Sequence, residues 1–295
     1  MKMAPITALF MLLMTAAPPA AAESVRLTHQ GRVLNGIYQE RQSGAGGIVL
    51  LVHDTLSHAA DPTMTALREA LAASGLATLA VNLGLGVDDR RGPYDCTVPH
   101  RHRHDDAVGE IAAWLDWLAA RGQGPVTLLD HGRGGNQVAW FLATRDTAHV
   151  ANAVLLGPPT WDLERAADAY KAQHGRALIP VLGPIMLMVK LGQGDRVIAD
   201  VPFLDCAHAA VAAKPFLTYY SDDEFLDTPN LLARAGKPVL VLHGAEDETL
   251  GDLAAKLAKL DNPRVNSHEL PDSGHALRPE GARTTAREIR KFLAR

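Results

Sequence analysis

The sequence predicts an α/β fold: a mostly parallel sheet with helices on both faces. Two observations carry this reading. Apolar runs of four to eight residues recur along the chain, which suits strands buried on both sides. Amphipathic stretches of helical spacing separate them, as crossover connections between parallel strands require.

In order, the runs are "GGIVLLVH" (46–53), "LATLAVN" (76–82), "PVTLLD" (125–130), "ANAVLLG" (151–157), "KPVLVLHG" (237–244) and "RVNSHEL" (264–270). Helices are expected at 61–74, 105–121, 134–145, 249–260 and 279–294. In the second of these, Val108, Ile111, Ala112, Leu115 and Leu118 form one apolar stripe. The alternation in "VRLTHQGRVLNGIYQE", around Gly31 and Asn35-Gly36, suggests an antiparallel hairpin at the sheet edge. With that hairpin the sheet has about eight strands.

One interval interrupts the alternation. About eighty residues separate the strands ending near Gly157 and starting near Lys237, too many for a structureless connection. A helical cap at 160–236, inserted into a core of 23–159 and 237–295, accounts for them. Within it "ALIPVLGPIMLMVKLG" (177–192) is apolar all round, but Pro180 and Pro184 interrupt it and it is too short for a membrane span. Packing against the core is the simpler reading, with a substrate lid as the alternative.

The first 22 residues have Lys2, the apolar stretch "ITALFMLLM" and a small-residue end at Ala20-Ala21-Ala22, the three parts of a secretory signal peptide. The expected destination is the periplasm or the medium, with no transmembrane anchor once the leader is removed. Its removal leaves 28 basic against 33 acidic side chains, which gives no electrostatic reason to expect a nucleic-acid partner. Cys96 and Cys206 can pair in such a compartment, though spacing alone does not decide it.

The order strand, "DHGRGG" (130–135), helix, insertion, strand, "LHGAEDET", strand, "DSGHA" resembles the α/β-hydrolase superfamily of serine esterases and lipases, over essentially the whole chain after residue 22. In that family a Gly-x-Ser-x-Gly elbow follows the fifth strand, and an acid and a histidine follow later ones. The resemblance implies Asp247 as the acid, His275 as the base and the Thr55 and Arg133 backbone N–H groups as oxyanion donors. It implies no cofactor.

Two departures matter more than these matches. Gly132 stands where the nucleophilic serine belongs, so His275 has no hydroxyl to activate, and Asp130 replaces the elbow's first small residue, bringing a side chain and a charge into a crowded turn. None of the seven serines forms another elbow. Ser57, in "VHDTLSH", is a remote stand-in, on a loop where the family has His-Gly and this chain has His53-Asp54. Together with Asp130 and His131, His53 and Asp54 are expected to supply pocket polarity.

A different chemistry is conceivable in "PHRHRHDD" (99–106). There His100, His102 and His104 recur at period two, so an extended backbone would turn three imidazoles to one side as metal ligands. Three functional expectations result. The first is an impaired hydrolase binding a small apolar acyl- or ester-like ligand, or a protein partner. The second is an active enzyme using His275 and Asp247 as an acid–base pair on water or a non-standard nucleophile. The third is a periplasmic metal-holding protein.

Overall fold

The computed structural model describes residues 21–41 and 46–294; the leader, apart from Ala21 and Ala22, lies outside the described residues. The chain opens with the hairpin β1 (Glu23–His29) and β2 (Arg32–Gln39), turning at Gln30-Gly31. Asn35-Gly36, expected near a turn, lies inside β2. There the missing Gly36 side chain lets the Ala80 carbonyl of the neighbouring strand approach to 2.8 Å of where a Cβ would sit.

There follow β3 (Ile48–Val52), α1 (Pro62–Ala73), β4 (Ala77–Val81), α2 (Asp106–Ala119), β5 (Val126–Asp130), α3 (Arg133–Thr144) and β6 (Val150–Leu156). Next come α4 (Leu163–His174), α5 (Ile179–Lys190), β7 (Val197–Phe203), β8 (Cys206–Ala212), α6 (Ala213–Tyr220) and α7 (Thr228–Leu232). The chain ends with β9 (Val239–Gly244), α8 (Leu253–Leu257), β10 (Val265–Leu270) and α9 (Pro279–Leu293). The expected helix at 249–260 is shorter than its pattern. Gly251, at φ +59°, breaks it between a 3-10 turn at Glu248–Leu250 and α8.

Eight strands form one sheet in the order β1-β2-β4-β3-β5-β6-β9-β10, parallel except where β2 meets β1 and β4. The central strands β3, β4 and β5 are buried along their full length, as their unbroken apolar runs demand. Side chains alternate between two cores. Leu50 and Val52 face α2 and α3 with Ile111, Trp114 and Phe141. Val49 and Leu51 face α1 and α9 with Met64, Leu67 and Ile289. Each fully buried Leu or Ile contributes roughly 1.5–3 kcal/mol.

The insertion is not wholly helical. It contains the antiparallel pair β7–β8, whose "VIADVPF" and "CAHAAVA" alternate too weakly to read as strands from sequence. Cys96 and Cys206 form a disulfide, 110 residues apart in sequence, which ties the loop before α2 to the start of β8. Apolar α5 leaves Ile179, Met186, Leu187 and Leu191 exposed around its buried Leu182 and Ile185. Among the described residues no helix is long and apolar enough to cross a membrane.

Candidate functional site

From β3 the chain passes to β4 on one side and then to β5 on the other, so the carboxyl ends of β3 and β5 flank a topological switch point. Parallel register pairs Val52 with Asp130. Two residues further on, Asp54 and Gly132 therefore emerge side by side.

Gly132 adopts φ +56° and ψ −125°, a conformation that favours glycine. Gly134 allows α3 to start against β3, for a Cβ there would lie 2.7 Å from the His53 carbonyl oxygen. A Cβ on Gly132 would lie 2.3 Å from Cγ and Oδ1 of Asp54. The Asp54 carboxylate thus fills the space into which a side chain at position 132 would project.

That carboxylate is held from several directions. Oδ1 accepts the Arg133 backbone N–H at 2.7 Å and the Thr55 hydroxyl at 3.3 Å. The Arg133 N–H, one of the two groups expected as oxyanion donors, is thereby spent on a resident anion. Oδ2 lies 3.0 Å from His275 Nε2. On the other side of the ring, His275 Nδ1 lies 3.0 Å from Oδ2 of Asp247, whose side chain is only 3% exposed. Thr249 completes this end, its hydroxyl 2.6 Å and its backbone N–H 3.0 Å from Asp247 Oδ1.

The charges follow from these contacts. Burial would raise the Asp54 carboxyl, but the His275 hydrogen bond, the nearby His131 and the backbone N–H groups of Arg133 and Thr55 outweigh it and hold it below the usual carboxylate range. Asp247 is likewise held low, burial being outweighed by its bonds from His275 and Thr249. His275, bonded by Asp247 and then Asp54, is pushed up to about 10 despite its burial. The result is an imidazolium clamped between two carboxylates.

The other expected pocket residues take separate parts. His53 Nε2 accepts the Leu83 backbone N–H at 3.1 Å and faces an Arg90 guanidinium nitrogen at 2.9 Å, while Nδ1 donates to the Asp54 carbonyl. Burial and then Arg90 lower it to about 3, so it is a neutral strut beneath the loop. At Asp130 burial works against the expected charge. Its carboxyl is fully buried and held well above the usual range, and Oδ1 accepts the Leu156 N–H at 3.3 Å. His131 stacks on His275 with ring centroids 4.6 Å apart, and its Nε2 lies 2.8 Å from the His275 carbonyl oxygen. Ser57 bonds Asp61 and does not approach His275. The hydroxyl beside the His275 ring is that of Thr249, 3.1 Å from Nδ1 on the acid side.

The run His100, His102, His104 does not make the expected three-ligand face. The segment is not a strand: only His100 bridges to Val211, and the three imidazoles gather around Tyr219 rather than around a common point for an ion. His100 packs among Tyr94, Phe203 and Tyr219, His102 Nδ1 meets the Tyr219 hydroxyl at 3.2 Å, and His104 Nε2 meets Asn136 Oδ1 at 2.6 Å. Aromatic packing rather than ligand geometry claims them.

The insertion roofs the site. Leu204, in the β7–β8 turn, and Tyr219, on α6, close over Asp54, Leu85 and Arg133, leaving a cavity of about 10 Å³, the room one water needs. A larger open groove of about 560 Å³ lies along the outside of the His275 loop, among Glu246, Asp272, Arg278 and Arg287, and is lined by neither Asp54 nor His275. The sequence named Asp54 as pocket polarity but not its part in blocking the elbow. The signal was the pairing of Gly132 with a charged residue where the resemblance has His-Gly.

No family model matches the sequence, and no curated protein matches it. Solved structures do match over nearly the whole chain. Est1E from Butyrivibrio proteoclasticus is 17% identical with a TM-score of 0.63, over 92% of this chain and 99% of that one. The chain has the α/β-hydrolase fold. A dienelactone hydrolase from Anabaena variabilis, 17% identical, shares this hydrolase fold at a TM-score of 0.57 over 94% of this chain and 98% of its own. The esterase domain of a Rhodothermus marinus protein, 14% identical, does so at 0.61 over 92% and 97%.

Proposed function

We propose that this is an exported α/β-hydrolase-fold protein that no longer hydrolyses esters by a serine mechanism. Its candidate catalytic centre is a half-buried cluster of charged groups that bond one another. The observation that carries this is the Asp54 carboxylate, which lies in the space of the missing side chain at Gly132, caps His275 Nε2 and consumes the Arg133 N–H. An ester carbonyl entering the site would find no serine nucleophile and the Arg133 N–H already occupied.

The acid–base alternative, with His275 and Asp247 activating water, needs an unprotonated Nε2 open to solvent. Asp54 covers that nitrogen and favours its protonation. The cavity beneath Leu204 and Tyr219 is too small for an acyl or ester ligand in the closed form, so ligand binding requires the β7–β8 turn to move. Export is supported by the leader pattern and by the Cys96–Cys206 bond, which oxidising compartments favour. Amino-terminal sequencing of material from the periplasm or medium should begin at Glu23; intact Met1 in a cytosolic fraction would refute export.

The function is tested with a fluorophosphonate probe and a panel of p-nitrophenyl esters on purified protein. Neither labelling nor turnover above the buffer rate is expected. Labelling or turnover that disappears in His275→Ala would overturn the proposal.

A further inference from the structure

We propose that Asp54, His131 and His275 form a binding site for one divalent first-row transition ion of the zinc class. One ligand atom from each of the three lies within 4.8 Å of the others, and no other such group of three occurs among the described residues. Two imidazoles and one carboxylate are the donor set that three-ligand zinc and iron sites use, with the remaining positions open.

The hydrogen bonds around the cluster fix which nitrogen each imidazole offers. His131 Nε2 lies 2.8 Å from the His275 carbonyl oxygen, which can only accept, so Nε2 carries a hydrogen and Nδ1 is the atom left to bind an ion. His275 Nδ1 faces Asp247 at 3.0 Å, so in a metal-bound ring Nδ1 keeps its hydrogen and Nε2 is the ligand atom. Metal-binding histidines are oriented in this way by a carbonyl or a carboxylate on the far nitrogen. In the metal-free protein, the His275 Nε2 hydrogen joins the ring to Asp54; the ion takes its place.

The spacing is compatible. Metal–ligand bonds of about 2.1 Å place neighbouring ligand atoms roughly 3.0–3.4 Å apart. His275 Nε2 and Asp54 Oδ2 are already 3.0 Å apart. Gly132 is part of the device, since any side chain there would collide with the Asp54 carboxylate. Asp54 and Asp247 together carry the charge that neutralises a divalent cation.

The test uses protein without an affinity tag, stripped with a chelator and titrated with Co(II) and then Zn(II). Visible d–d absorption, isothermal calorimetry and the thermal midpoint are read. One ion per chain is expected, with a visible cobalt band that zinc displaces and a raised midpoint. Affinity should fall at least about tenfold in His131→Gln and in the near-isosteric Asp54→Asn. It should be unchanged in His208→Gln, which removes the exposed His208–Asp200 pair.

Absence of a cobalt band and of any midpoint shift would overturn the site. Equal affinity in folded Asp54→Asn and native protein would overturn it too, and this variant stands in if His131→Gln does not fold. Fluorophosphonate labelling of metal-free protein would refute the non-hydrolytic reading while leaving the metal site standing, so the two failures are distinguishable.

Discussion

Gly132 and Asp54 constrain one another. Restoring the serine alone should not restore the chemistry, because the new side chain enters space that the Asp54 carboxylate holds and does so at a backbone angle that costs about 1–3 kcal/mol for a non-glycine residue. Gly132→Ser is therefore expected to lower the urea midpoint and to remain unlabelled by fluorophosphonate. Gly132→Ser combined with Asp54→Gly frees the Arg133 N–H and His275 Nε2 and should gain labelling, lost again on adding His275→Ala. Strong labelling of the single variant would show that Asp54 does not block the elbow. The glycine at 132 was legible because it departs, with Asp130, from the elbow pattern that the surrounding strand, turn and helix otherwise follow. The role of Asp54 was not, since it depends on two loops, 78 residues apart in sequence, meeting across the β3–β5 register. The environment of Asp130 was hidden for a related reason: burial, which disfavours its charge, is not reported by any local pattern.

At the level of elements, buried strands and their crossover helices were readable because an uninterrupted apolar run or a helical stripe is a local signal. The β7–β8 pair was not, since its strands carry Asp200 and Pro202 and earn their pairing from the Cys96–Cys206 bond and from the core beneath Phe203 and Val211. The same bond dictates how the roof behaves. A link closing a loop of 110 residues is worth about 4–5 kcal/mol in the chain-entropy account. Cys96→Ala with Cys206→Ala should therefore lower the thermal midpoint by roughly 10 °C. Hydrogen exchange should also quicken first over 197–212, ahead of the central strands. An unchanged midpoint in the double variant, or uniform exchange, would mean that packing of Leu204 and Phe203 holds the roof without the covalent tie.

Over the whole molecule, the chain buries three neutral imidazoles in one segment, and this sets its response to acid. Burial lowers His100 to about 4 and His104 to about 3, Arg133 adding to the latter, and holds His102 well below its usual range with help from its histidine neighbours, Arg90 and Arg32. Unfolded, all three take up protons near pH 6.5; folded, they do not until far lower, so stability is lost as the pH falls below that value. Glu110, beside His102, opposes them. Burial pushes it up to about 7, so the folded state holds its proton down to the ordinary glutamate value near 4.5 and gains stability as the pH falls across that window. Three protons from this segment and one from His53, lowered to about 3 by burial and Arg90, against one leave a net uptake of three on unfolding, or roughly 3–4 kcal/mol lost per pH unit between about 4.5 and 6.5. His100→Phe isolates one contribution. Both His100 ring nitrogens lack hydrogen-bond partners among Tyr94, Phe203 and Tyr219, so a phenyl ring suits the site. Urea midpoints from pH 5 to 7 should then fall about two-thirds as steeply as in the native protein, with no loss of stability at pH 7. Equal slopes would mean that His100 is protonated in the folded state, which its apolar surroundings do not permit without an anion entering beside it.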